Sequence, residues 1–333
     1  MCAIFFVILV LLSGNSSEVS SLREVSTKNE MEMHQLTRVD GTFSGDPYGT
    51  MEKTPLKARA GSVQEVRRPV MFTFYEPIPE ELRNTGMDDQ SDRMLLQAWE
   101  KHWQAAGWQT QVLNLSHAKL HPRFEEYERR LQDVPLNGMD GKGRNVQYNQ
   151  FCYFRWLAMA SVGGGFMSDY DNFPLQFGSG VPNQPQNLQL PNQGRFTVYS
   201  VASGSEGAGI PCLMSGSDGE WMRLAFAILR SGEAHARDEK HWTDMFALMD
   251  LRHEQGLYIA QNEVLDGRSA LFGRHWQEND CHLSQGKRAI HFSHDSVKNS
   301  DLSNFVGLSG TAQDRVLVME AWMRRWREVC QHP

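Results

Sequence analysis

The order strand, helix, strand between Val70 and Leu113 limits what this chain can fold into more than any other feature. Val70 to Tyr75 (VMFTFY) is rich in β-branched and aromatic residues and is closed by Glu76-Pro77-Ile78-Pro79, which reads as a first core strand. From Asp92 to Ala106, Leu95, Trp99, Trp103 and Ala106 recur on one helical face; Gly107 breaks the pattern and Gln109 to Leu113 reads as a second strand. A helix is the crossover that a parallel strand pair requires, so the expected fold class is α/β with a parallel sheet.

The rest of the chain extends that pattern. Arg123 to Gln132 reads as a charged amphipathic helix, 137–144 as a Gly-rich loop and Asn149 to Ala160 as a more apolar helix. Residues 181–193 are dense in Pro, Asn and Gln and read as a surface excursion bordering a site. Phe196 to Val201 and Cys212 to Ser215 read as strands, the second feeding a helix from Asp218 to Leu229. In the last segment, Thr311 to Cys330, residues Val316, Met319, Met323, Trp326 and Cys330 share a face, and Thr311 with Asp314 has the spacing of a capping box.

The N-terminus has a different character. Ala3 to Leu12 is an unbroken apolar run followed by Ser13, Gly14, Asn15, Ser16 and Ser17, the pattern of a signal-peptide core before small residues. A bilayer span needs about 20 apolar residues, so residues 1–16 are expected to be a signal peptide, cleaved or retained as an anchor. Residues 17–66 are polar without apolar periodicity and read as a disordered stem, which leaves 67–333 for the folded domain. A net charge of -7 argues against a general role on nucleic acid, which needs clustered Lys and Arg. Four cysteines beyond Cys2, namely Cys152, Cys212, Cys281 and Cys330, are enough for two disulfides in an oxidising lumen, and Asn114-Leu115-Ser116 is a glycosylation sequon.

The segment VGGGFMSDYDNFPL, residues 162–175, places Asp169 and Asp171 one residue apart. Like charges at that separation repel, so a cation is expected between them. If Phe166 to Asp169 ends a strand, residues two apart project to one side, and Asp169 and Asp171 point together while Tyr170 faces away. Two hard carboxylate oxygens suit Mn²⁺ or Mg²⁺ rather than zinc. Gly163 to Gly165 lack side chains and admit a ligand or a neighbouring backbone. The carboxyl ends of strands in an open α/β sheet are where ligands bind.

The wider stretch FRWLAMASVGGGFMSDYDNFPL, residues 154–175, resembles the DXD-containing glycosyltransferase family that includes yeast outer-chain α-mannosyltransferases and capsular-polysaccharide glycosyltransferases. Arg155, Gly164, Gly165, Asp169, Asp171, Pro174 and Leu175 stand at the positions of that family's motif. The chain departs from it at Phe151 and Cys152, where the family has Ser-Asp, and in its opening strand. The resemblance implies a GT-A-like fold, a mixed, mainly parallel sheet flanked by helices in a single domain, with 67–333 as the catalytic domain. It further implies a nucleotide-sugar donor bound by Arg155, Gly164, Gly165 and Asp169, a metal held by Asp169 and Asp171, and transfer with retention. Arg155 has an equal alternative as a structural ion-pair partner.

Two further groups of candidates follow. GT-A enzymes often take a late histidine as a metal ligand, and RAIHFSHDSVK, residues 288–298, offers His294 first and His291 second, each with a buried core histidine as its alternative. Asp218 and Glu220 are candidates to bind acceptor hydroxyls with Trp221 stacking on a sugar ring, although acidic residues there also suit a helix N-terminus. No catalytic base or nucleophile stands out. The expectation is a metal-dependent glycosyltransferase of the secretory pathway, in the Golgi or ER lumen or secreted, acting on a glycan or glycoconjugate acceptor. Its alternative is a secreted, non-catalytic carbohydrate-binding protein on the same fold.

Overall fold

A computed structural model of the chain describes residues 69–83, 86–136, 146–175, 190–202, 209–237, 242–254, 257–271, 278–293, 296–297 and 311–330. The expected signal peptide and stem, the loop at 137–144, most of the 181–193 excursion and His294 lie outside the described residues. The described residues fall within one unit, Val66–Pro333.

Alternation along the first strand, β1 (Val70–Phe74), sends Met71 and Phe72 into two different cores. Both faces of the sheet are therefore covered, and this is why the strand reads as a continuous apolar run. The helix α1 (Asp89–Ala105) begins three residues before the apolar pattern because Asp88 caps it, accepting from Ser91 N at 2.7 Å. It stops at Gly107, whose φ of +90° favours glycine. Then come β2 (Gln109–Leu113), the short α2 (Leu115–Lys119), α3 (Phe124–Leu131), α4 (Val146–Ser161), β3 (Gly164–Ser168) and β4 (Asn172–Pro174). The second half comprises β5 (Thr197–Val201), β6 (Gly209–Ser217), α5 (Asp218–Ala234), α6 (Asp244–Asp250), β7 (Ile259–Ala260), β8 (Val264–Asp266), α7 (Gly267–Leu271), β9 (Ala289–His291) and α8 (Arg315–Cys330).

These strands form a mixed six-stranded sheet in the order β2-β1-β3-β6-β5-β7 and a small sheet in the order β4-β9-β8. β1 is parallel to both β2 and β3, as the helical crossovers require, whereas β6 is antiparallel to β3 and β5. On one face of the large sheet, Met71, Phe166 and Leu213 pack with Trp99 and Trp103 of α1, Trp322 and Trp326 of α8, and the small sheet. On the other, Phe72, Met167 and Met214 pack with apolar residues of α3, α4, α5 and α6. Burying each such side chain is worth roughly 1.5–3 kcal/mol. The fold is thus α/β, a mixed sheet flanked by helices.

Local chemistry sets several details. Gly164 has φ +75°, and a Cβ there would stand 2.6 Å from Asp218 N, so no side chain fits where β3 meets the start of α5. Thr311 and Asp314 form the expected capping box just before α8. Asn114 caps α2 through a reciprocal contact with His117. Only one of the two expected disulfides forms, Cys281 with Cys330. Cys152 and Cys212 are buried in α4 and β6, each packed where it stands, and are not bridged. Among the described residues no helix is long and apolar enough to cross a membrane.

Candidate metal centre and adjoining cavity

Asp169 and Asp171 sit just beyond the carboxyl end of β3, in a tight turn rather than on a strand. Asn172 N donates to Asp169 O at 3.0 Å, closing the turn, and Asp169 N donates to Cys212 O at 2.9 Å. Two tryptophans of α1 hold it from below: Trp99 Nε1 donates to Ser168 Oγ at 2.8 Å and Trp103 Nε1 to Asn172 O at 3.0 Å. Asn172 Nδ2 donates to Cys212 O at 2.9 Å. The convergence of the two aspartates therefore comes from the turn, not from strand alternation. This also corrects the expectation for Tyr170, which shares the cavity wall with both aspartates instead of facing away.

β9 delivers the third group. It pairs antiparallel with β4 so that His291 lies opposite Asn172, and Phe292 N donates to Asp171 O at 2.9 Å. One ligand atom each from Asp169, Asp171 and His291 then lies within 4.8 Å of the others. His291, the second choice from sequence, is the last residue of its strand, the position from which a side chain reaches a ligand; His294 lies outside the described residues.

Each aspartate has a side-chain cation of its own, and neither arginine contacts both. Arg155 Nη1 contacts Asp169 Oδ1 at 2.8 Å, and Arg315 Nη1 contacts Asp171 Oδ2 at 3.2 Å. Asp171 Oδ1 and His291 Nε2 face each other at 3.3 Å without hydrogen-bond geometry. Asp171 and Arg315 are 1% and 0% exposed, while the Asp169 side chain keeps 26% of its surface. Burial raises the Asp169 carboxyl above its usual range, and Arg155 only partly offsets this. Burial pushes Asp171 the same way, but His291 and Arg315 prevail and hold it low. For His291, burial opposes the charge and the neighbouring Asp171 outweighs it, raising the imidazole well above its usual value.

A cavity of about 90 Å³ opens beside the aspartates, at the carboxyl ends of β1 and β3. Phe74, Tyr75, Tyr148, Phe151 and Tyr170 supply aromatic walls, and Arg155, Arg83 and Asp92 are the charged groups besides Glu76 and the aspartates. Tyr75 and Tyr170 meet edge to face, 5.6 Å between centroids.

The family model described as Domain of unknown function (DUF8765) matches residues 58–179. No curated protein matches the chain. The matched stretch carries Arg155, Asp169 and Asp171 but stops before His291 and Arg315.

The other candidates stand elsewhere. The β3–β6 register sets Gly164 against Ser217 and Ser168 against Leu213, so Gly164, Gly165, Asp218 and Glu220 gather at the end of β3 opposite Asp169. Glu220 accepts from Phe196 N at 2.7 Å and pairs with Arg223, while Asp218 opens α5. Trp221 is fully buried and donates to Gly165 O at 3.2 Å. Two residues escaped the sequence reading. Arg315 enters from the first residue of α8, and Asp244, at the start of α6, grips Arg155 through Nε and Nη2 and accepts from Trp156 Nε1 at 3.1 Å.

A donor set of two carboxylates and one imidazole fits a divalent cation that accepts oxygen and nitrogen ligands. Asp171 Oδ1 and His291 Nε2 are buried and face each other at 3.3 Å without hydrogen-bond geometry, an arrangement that a cation ligated by both would satisfy.

Proposed function

We propose that the chain is a metal-dependent glycosyltransferase with a GT-A-like fold, moving a sugar from a nucleotide-sugar donor to a glycan or glycoconjugate acceptor. The observation that carries this reading is the Asp169, Asp171 and His291 cluster at the edge of an aromatic-walled cavity, at the carboxyl ends of parallel strands. When bound there, Mn²⁺ or Mg²⁺ supplies a Lewis acid that stabilises negative charge developing on a diphosphate leaving group. Asp169, Asp171 and His291 would hold it. Arg155, fixed by Asp244, offers its Nη1 edge to an anionic donor, and Tyr75, Tyr148 and Tyr170 line the space that a nucleobase or sugar would enter.

Secretory placement is supported by the apolar run Ala3 to Leu12 and by the Cys281–Cys330 disulfide, a bond that persists in oxidising compartments. The other carboxylates on the cavity wall are engaged: Glu76 accepts from Leu115 N at 2.8 Å, and Asp92 pairs with Arg83 at 3.1 Å. With neither offered as a general base, the wall suits a retaining transferase, and it equally suits the second reading, a non-catalytic carbohydrate-binding protein. A thermal-shift screen of UDP- and GDP-sugars with and without Mn²⁺, followed by a donor-turnover assay, separates the two. Metal-dependent stabilisation with turnover supports the transferase; stabilisation without turnover supports the binding protein; no response to any donor defeats both.

A further inference from the structure

The sequon Asn114-Leu115-Ser116 takes no part in the centre described above, and it follows directly on an open edge of the large sheet. The strand β2 ends at Leu113 and stands first in the order β2-β1-β3-β6-β5-β7, so β1 is its one strand neighbour among the described residues. An open edge is a liability, because its unpaired N–H and C=O groups template pairing with another chain; proteins blunt such edges with lysine, proline, bulges or a cover. Gln109 to Leu113 (QTQVL) contains no charged residue and no proline, and it pairs with β1 in unbroken register. Gln109 and Gln111 are exposed. Such an edge calls for a cover from outside the strand.

Leu120 adds to that need. It is 73% exposed, the most of any large apolar side chain among the described residues, and it closes α2 four residues after Ser116, on the same helical face. At about 1.5 Å of rise per residue it stands roughly 9 Å along the helix from Asn114, close enough for the inner sugars of a chain attached there to lie over it.

The sequon is presented as attachment requires. Asn114 is half-buried with an extended backbone, and Ser116 is exposed. Asn114 Oδ1 faces His117 N at 3.4 Å and His117 Nδ1 at 2.7 Å, whereas its Nδ2 has no hydrogen bond among the described residues. Other groups hold the turn: Tyr75 N donates to Leu113 O at 2.9 Å and Leu115 N to Glu76 Oε2 at 2.8 Å. Attachment at Nδ2 keeps the amide carbonyl, so the Asn114 cap on α2 survives it.

We infer that Asn114 carries an N-linked glycan that covers the β2 edge and Leu120. This modification requires the secretory placement proposed above. The oligosaccharide comes from a lipid-linked diphosphate donor of the host: its C1–O bond to the diphosphate breaks, C1 bonds to Asn114 Nδ2, and one Nδ2 proton departs with the lipid diphosphate.

The full chain, expressed with its own N-terminal segment in a eukaryotic secretory host, provides the test. Peptide N-glycosidase in isotope-labelled water should raise its gel mobility and mark position 114 in peptide mass spectrometry, which also separates that site from the other sequon, Asn15-Ser16-Ser17. Asn114→Asp, which keeps a capping oxygen, and Ser116→Ala should each lose the glycan at 114, and Ser116→Thr should keep it. Digested wild-type protein and both glycan-free variants should form more aggregate on concentration than the glycosylated protein, read by size-exclusion chromatography. A lumenal protein unmodified at Asn114 would overturn the site and leave the secretory placement standing. A chain retained in the cytosol would overturn both. A glycan whose removal leaves the aggregated fraction unchanged would overturn its covering role. Digestion acts on protein already folded, so the outcome does not depend on any variant folding.

Discussion

Arg315 Nη1 lies 3.2 Å from Asp171 Oδ2, across 144 residues of sequence. The arginine is the first residue of α8, where the helix dipole disfavours a cation, and it is fully buried. Asp171, with Asp92 also within electrostatic reach, helps to offset both costs. Removing one partner of such a pair strands the other, so Arg315→Met should destabilise the fold by about 3–5 kcal/mol in urea unfolding. Arg315→Lys should lose less, and a loss below about 1 kcal/mol for Arg315→Met would mean the pair is not structural.

The two aspartates should separate in their effects on stability. Burial holds the Asp169 carboxyl above its usual pKa, so at neutral pH its ionised form works against folding. Asp171 is held below its usual value and its charge supports the fold. Asp169→Asn is therefore expected to melt at or above the wild-type temperature, and Asp171→Asn below it, while both lose Mn²⁺-dependent donor turnover. Differential scanning fluorimetry beside the turnover assay checks this, and full activity in either variant would refute the metal centre.

His291→Ala should raise the Mn²⁺ concentration for half-maximal turnover by roughly tenfold or more, with much of the rate recovered at excess metal, since both carboxylates remain. His294→Ala, measured in parallel, should leave that concentration unchanged. The opposite ranking would move the late ligand to His294.

A pH effect is expected from α1 itself. His102 on α1 is buried, and desolvation lowers its pKa below the ordinary histidine value despite Glu320 3.3 Å away. The folded protein keeps it neutral while the unfolded chain takes up a proton as pH falls. Stability from this group is thus fully present above about pH 6.5 and is lost as pH falls towards the folded pKa. Melting temperatures taken from pH 7.5 down to about 5.5 should fall less steeply in His102→Gln than in the wild type, and parallel curves would show that His102 does not contribute.

Much of the frame was legible because it is written locally. The apolar face of α1, the run of β1 and the capping box at Thr311 each occupy a few neighbouring residues, and the structure matches them closely. The short strands β4, β7 and β8 carry two or three residues each, too few for any period to register. Trp99 and Trp103 read as core, yet nothing in their spacing announces that their indole N–H groups pin the aspartate turn. Asp169, Asp171 and Arg155 stood out through one continuous motif. Asp244 and Arg315 did not, because a buried partner 89 or 144 residues distant leaves no local pattern. A cation at a helix start was the one available signal for Arg315, and by itself it is weak.

The distance along the chain between Asp171 and Arg315 has a consequence for how the protein is made. A ribosome adds roughly 5–20 residues per second, so on the order of 10 s passes between the emergence of one and of the other. Over that interval the nascent chain carries Asp171 without the arginine that allows its burial, and His291 too arrives late. The layer beneath α8, with Trp322 and Trp326, can close over the aspartate turn only after α8 has left the ribosome. Until then the growing polypeptide carries the Asp169 and Asp171 motif without the side chains that the folded protein gathers around it.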